Sequence, residues 1–136
     1  MWVLDASIAV KWFFKDEIEF EKANLVLNNL IEDPDTFMVP ELFYLELSAV
    51  LIRKANFDAD FVNSSMESIY ELGIPTVPAG QELLQKAIAL ACRFKISLYD
   101  SIYAALAESV NGKWLTADKK ACHKLEKETS HLLDHF

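Results

Sequence analysis

Apolar residues along this chain fall into short runs separated by helical stripes. Met1 to Leu4 is an apolar run ending at Asp5, as expected of a buried first strand. Asp5-Ala6-Ser7 then supplies capping chemistry for a helix through Ile8, Ala9, Val10, Trp12 and Phe13. A second helix is predicted from about Glu17 to Glu32, with Phe20, Ala23, Leu27, Leu30 and Ile31 on one face. Asp33-Pro34-Asp35 ends it, and Thr36 to Val39 is a short strand. The next stretch, Pro40 to Ile52, reads as a helix opened by Pro40. After Asn56-Phe57-Asp58, a helix from Ala59 carries Val62, Met66, Ile69 and Tyr70 inward and stops at Gly73.

Ile74 to Pro78 is β-branched and flanked by prolines, which suits an edge strand. A helix over Glu82 to Phe94 follows, with a stripe of Leu84, Ala87, Ile88 and Ala91. Ser97 caps another, containing Asp100, Tyr103, Ala104 and Ala107 and closed by Asn111-Gly112. Lys113 to Thr116 reads as a strand, Ala117-Asp118 opens a helix to about Glu128, and His131 to Leu133 forms a last strand. Strands alternating with helices predict an α/β domain around a small, mostly parallel sheet. In such folds ligands sit beyond the carboxyl ends of the strands. Asp5 and Asp118 both fall there.

One position breaks the pattern. The helical neighbours of Glu46 at three and four residues are Leu42, Phe43, Ala49 and Val50, all apolar. Glu46 is therefore expected on a buried face, where an unpartnered carboxylate is costly or takes up a proton. A buried cation, a set of hydrogen bonds, a proton, or a divalent metal shared with other acids would each compensate it.

Composition narrows the choice. At 136 residues, 52% of them hydrophobic, the chain is expected to form one domain over residues 1–136 with a real core. No apolar run approaches the roughly 20 residues of a membrane span, and no signal-peptide pattern opens the sequence. Two lone cysteines, Cys92 and Cys122, suit a reduced, cytoplasmic protein. Thirteen basic against 21 acidic residues give a net charge of −8. This excludes a broad, nonspecific nucleic-acid binder and favours a basic protein partner.

Three further acids stand beside Glu46, and each has a capping explanation. Asp5 could cap the first helix; Ser97 and Asp100 make an S-x-x-D capping box; Asp118 could cap the final helix with help from Thr116. Asp100 also begins a buried face with Tyr103, Ala104 and Ala107. Hard oxygen ligands from separate segments make a Mg²⁺ or Mn²⁺ site, the kind that activates water and neutralises phosphate in phosphodiester hydrolysis.

Four stretches taken together resemble the PIN-domain ribonucleases, particularly the VapC-type toxins of toxin–antitoxin pairs. They are V-L-D-A-S-I at Val3–Ile8, P-E-L-F-Y-L-E-L-S-A-V-L at Pro40–Leu51, L-Y-D-S-I-Y-A-A-L-A at Leu98–Ala107 and L-T-A-D-K-K at Leu115–Lys120. They occur in the family's order and span nearly the whole chain. The resemblance implies a three-layer α/β/α fold and a Mg²⁺- or Mn²⁺-dependent endoribonuclease. It puts Asp5, Glu46, Asp100 and Asp118 in the acidic site, with Asp5 and Asp100 the firmest metal ligands and Asp118 a further one. Glu46 would ligate a second ion or orient the attacking water, and Ser7 and Thr116 would support the ligands with hydroxyls. It further implies an antitoxin whose C-terminal segment packs on the toxin, and a homodimer.

Among the cations flanking this set, Lys11, Lys15, Arg53, Lys54, Lys119 and Lys120, the last two adjoin Asp118 and are the candidate phosphate contacts. Trp12-Phe13-Phe14 is more aromatic than one helix face needs, so part of it is a candidate partner surface. His123, His131, His135 and Cys122 match no zinc spacing. Competing functions are a PIN nuclease of RNA maturation or decay and a catalytically idle PIN-like module that only binds protein. An aspartyl-nucleophile phosphatase would want a second Asp at the place of Ser7, and a receiver domain would want adjacent acids before its first helix.

Overall fold

A computed structural model describes residues 1–125 and 129–136. Five strands, β1 (Trp2–Leu4), β2 (Phe37–Pro40), β3 (Thr76–Val77), β4 (Lys113–Thr116) and β5 (Ser130–Leu132), form one sheet in the order β3-β2-β1-β4-β5. Every pairing is parallel. The helices are α1 (Ala6–Lys11), α2 (Phe20–Glu32), α3 (Leu42–Lys54), α4 (Ala59–Glu71), α5 (Gln81–Phe94), α6 (Leu98–Ser109) and α7 (Lys119–Lys124).

The strand order explains the layers. From β1 the chain steps outward to β2 and then β3, and from β3 it crosses back past β1 to β4 and β5. With right-handed crossovers, steps in opposite directions put their helices on opposite faces. Helices α1 to α4 pack among themselves on one side, and α5 packs on α6 on the other. The result is the α/β/α sandwich. Because direction reverses between β1 and β4, the crevice for a ligand opens at the carboxyl ends of those two strands.

The central strands carry a continuous apolar load, as a sheet covered on both faces requires. Val3, Leu4, Val39, Trp114 and Leu115 are all inaccessible to solvent. Residues Ser101 to Ala107 of α6 are also buried, and its three alanines allow this helix to lie close against β1, β2 and β4. Gly112 permits a second close approach: a Cβ there would lie 2.5 Å from the Met1 carbonyl oxygen, the acceptor for the Lys113 N–H.

Several elements depart from the sequence pattern. Pro40 ends β2 rather than opening α3, because Glu41 N–H bonds Val77 O and holds the chain in the sheet until the helix starts at Leu42. Helix α1 stops at Lys11, and the indole of Trp12 donates to Ala23 O at 2.7 Å, pinning the turn to α2. Helix α2 starts at Phe20 because Glu19 takes a left-handed conformation, φ 67°. The buried stripe of α3 is Phe43, Leu47 and Leu51, while Ala49 is exposed. Glu46 thus lies half-buried on the flank of that stripe rather than at its centre. Tyr70, Ile31, Leu84 and Ile88, expected inside, are exposed. Helix α7 ends at Lys124, short of Glu128, which lies outside the described residues.

Candidate active site

Chain direction brings the acids to one edge. In a parallel sheet, a helix that follows a strand begins at the strand's carboxyl end, and a helix that precedes one also begins there. Asp5 directly follows β1, Asp118 lies two residues after β4, and Glu46 is in the second turn of α3, which follows β2. Asp100 is in the first turn of α6, which precedes β4. Four elements therefore place four carboxylates around the β1–β4 crevice.

Each is held differently. Asp5 is 8% exposed. Its Oδ2 accepts the Ser7 N–H at 2.9 Å, capping α1, and its Oδ1 accepts the Trp114 indole N–H at 3.1 Å. The Oε1 of Glu46 accepts the Tyr103 hydroxyl at 2.7 Å. Asp118 caps α7 with one oxygen, Oδ1, which accepts the Lys120 and Ala121 N–H groups at 3.0 and 3.1 Å. For Asp100 the capping box is half made. The Ser97 hydroxyl accepts the Asp100 N–H at 3.0 Å, and the Asp100 carboxylate interacts with the Ser97 side chain as well. Capping and clustering thus coexist for Asp5 and Asp118, since a carboxylate has lone pairs for both.

Two hydroxyls stitch the edge together. Ser7 Oγ accepts the Ala117 N–H at 3.1 Å and lies 3.5 Å from Thr116 Oγ1. Thr116, fully buried, accepts the Asp118 N–H at 3.0 Å. The turn carrying Asp118 is thereby fastened to the first turn of α1 carrying Asp5.

The electrostatics follow from burial and crowding. Burial pushes Asp5 above the ordinary carboxylate range, against hydrogen bonds from Ser7 and Trp114, and the Asp118 charge pushes it further. Glu46 is raised by burial and by Asp5 and Asp100, with the Tyr103 bond opposing. Asp100 is raised by burial, Asp5 and Asp118, and lowered by Ser97 and Lys124. Tyr103 is pushed far up by burial and by Asp5 and Glu46, so its hydroxyl stays protonated and donates. Among the described residues, no cation forms an ion pair with any of the four acids. Nor, among the described residues, are three or more His, Cys, Asp or Glu side chains drawn together closely enough to hold a metal ion as they stand.

The flanking cations separate. Lys119 reaches Asp134 at 3.3 Å, Lys54 pairs with Glu17 and lies over the Phe14 ring, and Lys11 donates to Ile18 O at 2.7 Å. Lys120 is exposed. Sequence reasoning passed over Lys124, which shares a face of α7 with Lys120 and is the cation felt by Asp100. Nor does the sequence pattern, which puts Tyr103 on a buried helical face and Trp114 in a strand, assign either a part in the site. His123, His131, His135 and Cys122 line a separate cavity of about 510 Å³ that includes none of the four acids.

The PIN domain family model matches residues 2–127. The chain belongs to the PIN domain family. Among curated proteins this PIN domain is 31% identical to Ribonuclease VapC3 of Pyrobaculum aerophilum over 93 residues, 62% of this chain and 71% of that protein. Solved structures share the fold at lower identity. VapC20 of Mycobacterium tuberculosis, described as a sarcin–ricin-loop-cleaving toxin, superposes with a TM-score of 0.73 at 12% identity, covering 90% of this chain and 94% of that one. FitAcB of Neisseria gonorrhoeae gives 0.72 at 18% identity over 100% of both chains. VapBC2 of Rickettsia felis, solved bound to a promoter DNA fragment, gives 0.68 at 14% identity, covering 96% and 97%.

Proposed function

We propose that this PIN domain is a metal-dependent endoribonuclease, the toxin of a type II toxin–antitoxin pair. One observation carries the reading: four carboxylates from four elements converge on the crevice, three raised by burial and mutual repulsion, with no ion-paired cation among the described residues. Natural sequences rarely keep uncompensated acids together without a use for them.

An all-oxygen donor set fits a hard cation, Mg²⁺ or Mn²⁺. Asp5, Asp100 and Asp118 are the residues to hold it, and Glu46 is a further ligand or the group that orients water. When bound, the cation supplies Lewis-acid stabilisation of the phosphate charge and a more acidic water. The protein's own part is placement. The Asp5 carboxylate is fixed by donors on both oxygens, and Asp118 keeps Oδ2 clear of its cap. Glu46 keeps Oε2 clear of Tyr103, available to accept a proton from water. Ser7 and Thr116 set the distance between the two strand ends, and Lys120, with Lys119 beside it, is offered to the phosphate backbone.

The similarity to VapC and FitAB-type proteins supports an antitoxin partner, and the −8 charge suits a basic segment in it. A homodimer is proposed by the same analogy, and a cytoplasmic setting from the two free cysteines. No helix of the described chain is long and apolar enough to cross a membrane.

Incubating the purified protein with single-stranded RNA, with Mg²⁺, Mn²⁺ or chelator, tests the activity. Cleavage is expected only with metal and is expected to vanish in Asp5→Asn and Asp100→Asn. Undiminished cleavage by those variants would remove the acids from the chemistry. A small upstream reading frame encoding a DNA-binding protein is expected if the toxin role is right.

A further inference from the structure

Beneath the acidic edge lies a pair of aromatic rings that the proposed chemistry leaves without a role. Tyr103 of α6 and Trp114 of β4 are both fully buried. Their rings lie nearly parallel, 14° apart, with centroids separated by 5.9 Å. Each carries one polar atom, and each of those atoms is aimed at a different member of the acidic set. The Tyr103 hydroxyl donates to Glu46 and the Trp114 indole to Asp5.

The partners are far apart in the chain. Glu46 and Tyr103 are 57 residues apart, and Asp5 and Trp114 are 109 apart. A buried Tyr or Trp needs an acceptor, and the nearest carboxylate could serve with no further consequence. Three features argue for more. Both donors are neutral, so they leave the carboxylates charged. Each addresses an acid of the candidate site and not a backbone carbonyl. Finally, the two rings are in register with one another, so the spacing between their donors is set by packing in the core, where side chains do not hop freely.

We propose that Tyr103 and Trp114 act as a coupled pair of positioning residues that fix the Glu46 and Asp5 carboxylates relative to one another for divalent-cation binding. This rests on the metal-dependent nuclease reading. Groups that orient a ligand from behind typically contribute 10–100-fold to metal affinity or activity. A free Glu46 or Asp5 would gain rotamers that point away from its partner acids, relieving repulsion in the metal-free state and weakening cation binding. Because one packed unit holds both, losing either donor should loosen both acids, and the two losses should not add.

The test uses Tyr103→Phe and Trp114→Phe, singly and together, with Tyr70→Phe, on an exposed ring stacked on Tyr44, as the control. Mn²⁺ binding is measured by calorimetry and RNA cleavage by kcat and KM. The expected result is about a 10-fold weaker Mn²⁺ affinity for each single variant, a lower kcat with KM little changed, and a double variant close to either single one. Tyr70→Phe should match the wild type. A role confined to satisfying the core would lower the melting temperature while leaving Mn²⁺ affinity intact, or raising it as the carboxylate loses a competing donor. That outcome, in variants that remain folded, overturns the proposal. Should Trp114→Phe fail to fold, Tyr103→Phe, which removes one oxygen atom from an otherwise unchanged ring, decides it alone. Wild-type protein that neither binds Mn²⁺ nor cuts RNA overturns both this proposal and the nuclease reading, whereas retained affinity in active variants overturns only this one.

Discussion

Asp5 and Glu46 are tied to buried aromatic rings, whereas Asp118 caps α7 and Asp100 sits in the first turn of α6. The first pair takes hydrogen bonds from side chains that the core holds still. The second pair is without a buried aromatic donor among the described hydrogen bonds, and Asp118 is exposed while Asp100 is half-buried, though Asp5 shares with Asp118 the capping of a helix. The proposed metal site would use both properties. A fixed half sets the geometry, and a compliant half accommodates the entry of cation and phosphate. Burial first, and then repulsion among the acids, raises Asp5, Glu46 and Asp100, and a cation bound as proposed would relieve that repulsion.

Breaking the two halves in turn should separate them. The largest effect is expected in Asp5→Asn, where cleavage should fall on the order of 10³-fold, since stabilisation worth several kcal/mol converts at about 1.4 kcal/mol per decade. Asp100→Asn should fall comparably. Single-turnover assays at saturating RNA measure both, and an Asp5→Asn enzyme within tenfold of wild type would dissolve the distinction.

The next effect is on stability. Saturating Mg²⁺ at about 100 times its dissociation constant should stabilise the wild type by roughly 2.7 kcal/mol, on the order of 10 °C in melting temperature. Glu46→Gln should gain measurably less, by scanning fluorimetry with and without chelator. An equal gain would detach Glu46 from the cation.

Smaller still is the stitch between the halves. Ser7→Ala strips the Ala117 N–H of its acceptor and should cost about 1 kcal/mol in urea denaturation. The smallest effects concern the outer cations. Lys124→Ala should raise KM for RNA by a few fold, roughly the value of one partly screened charge. Lys119→Ala, already engaged by Asp134, should stay within about twofold. A reversal of that order would show that phosphate enters from the Asp134 side.

Much of the fold was legible because the central strands read as short apolar runs, β4 to the residue. The four acids were legible because three stand at element boundaries and Glu46 interrupts a helical stripe. What was not legible depends on contacts remote in sequence. Pro40 looked like a helix opener until Val77, in another strand, claimed the next N–H. Glu19 gave no local sign of a left-handed backbone. Tyr103 and Trp114 have the right pattern for core, and hydrophobic periodicity carries no record of where a hydroxyl or indole N–H points. Tyr70, Leu84 and Ile88 fit their stripes yet face solvent.

The position of β1 has one more consequence. This strand lies at the centre of the sheet and pairs on one side with β4, more than a hundred residues later. Pairings of such long sequence separation form late in folding. At about 5–20 residues per second, several seconds pass between the emergence of Asp5 and that of Asp118. Throughout that interval the growing chain holds half a crevice, and the acidic edge is assembled only after β4 has emerged and docked beside β1.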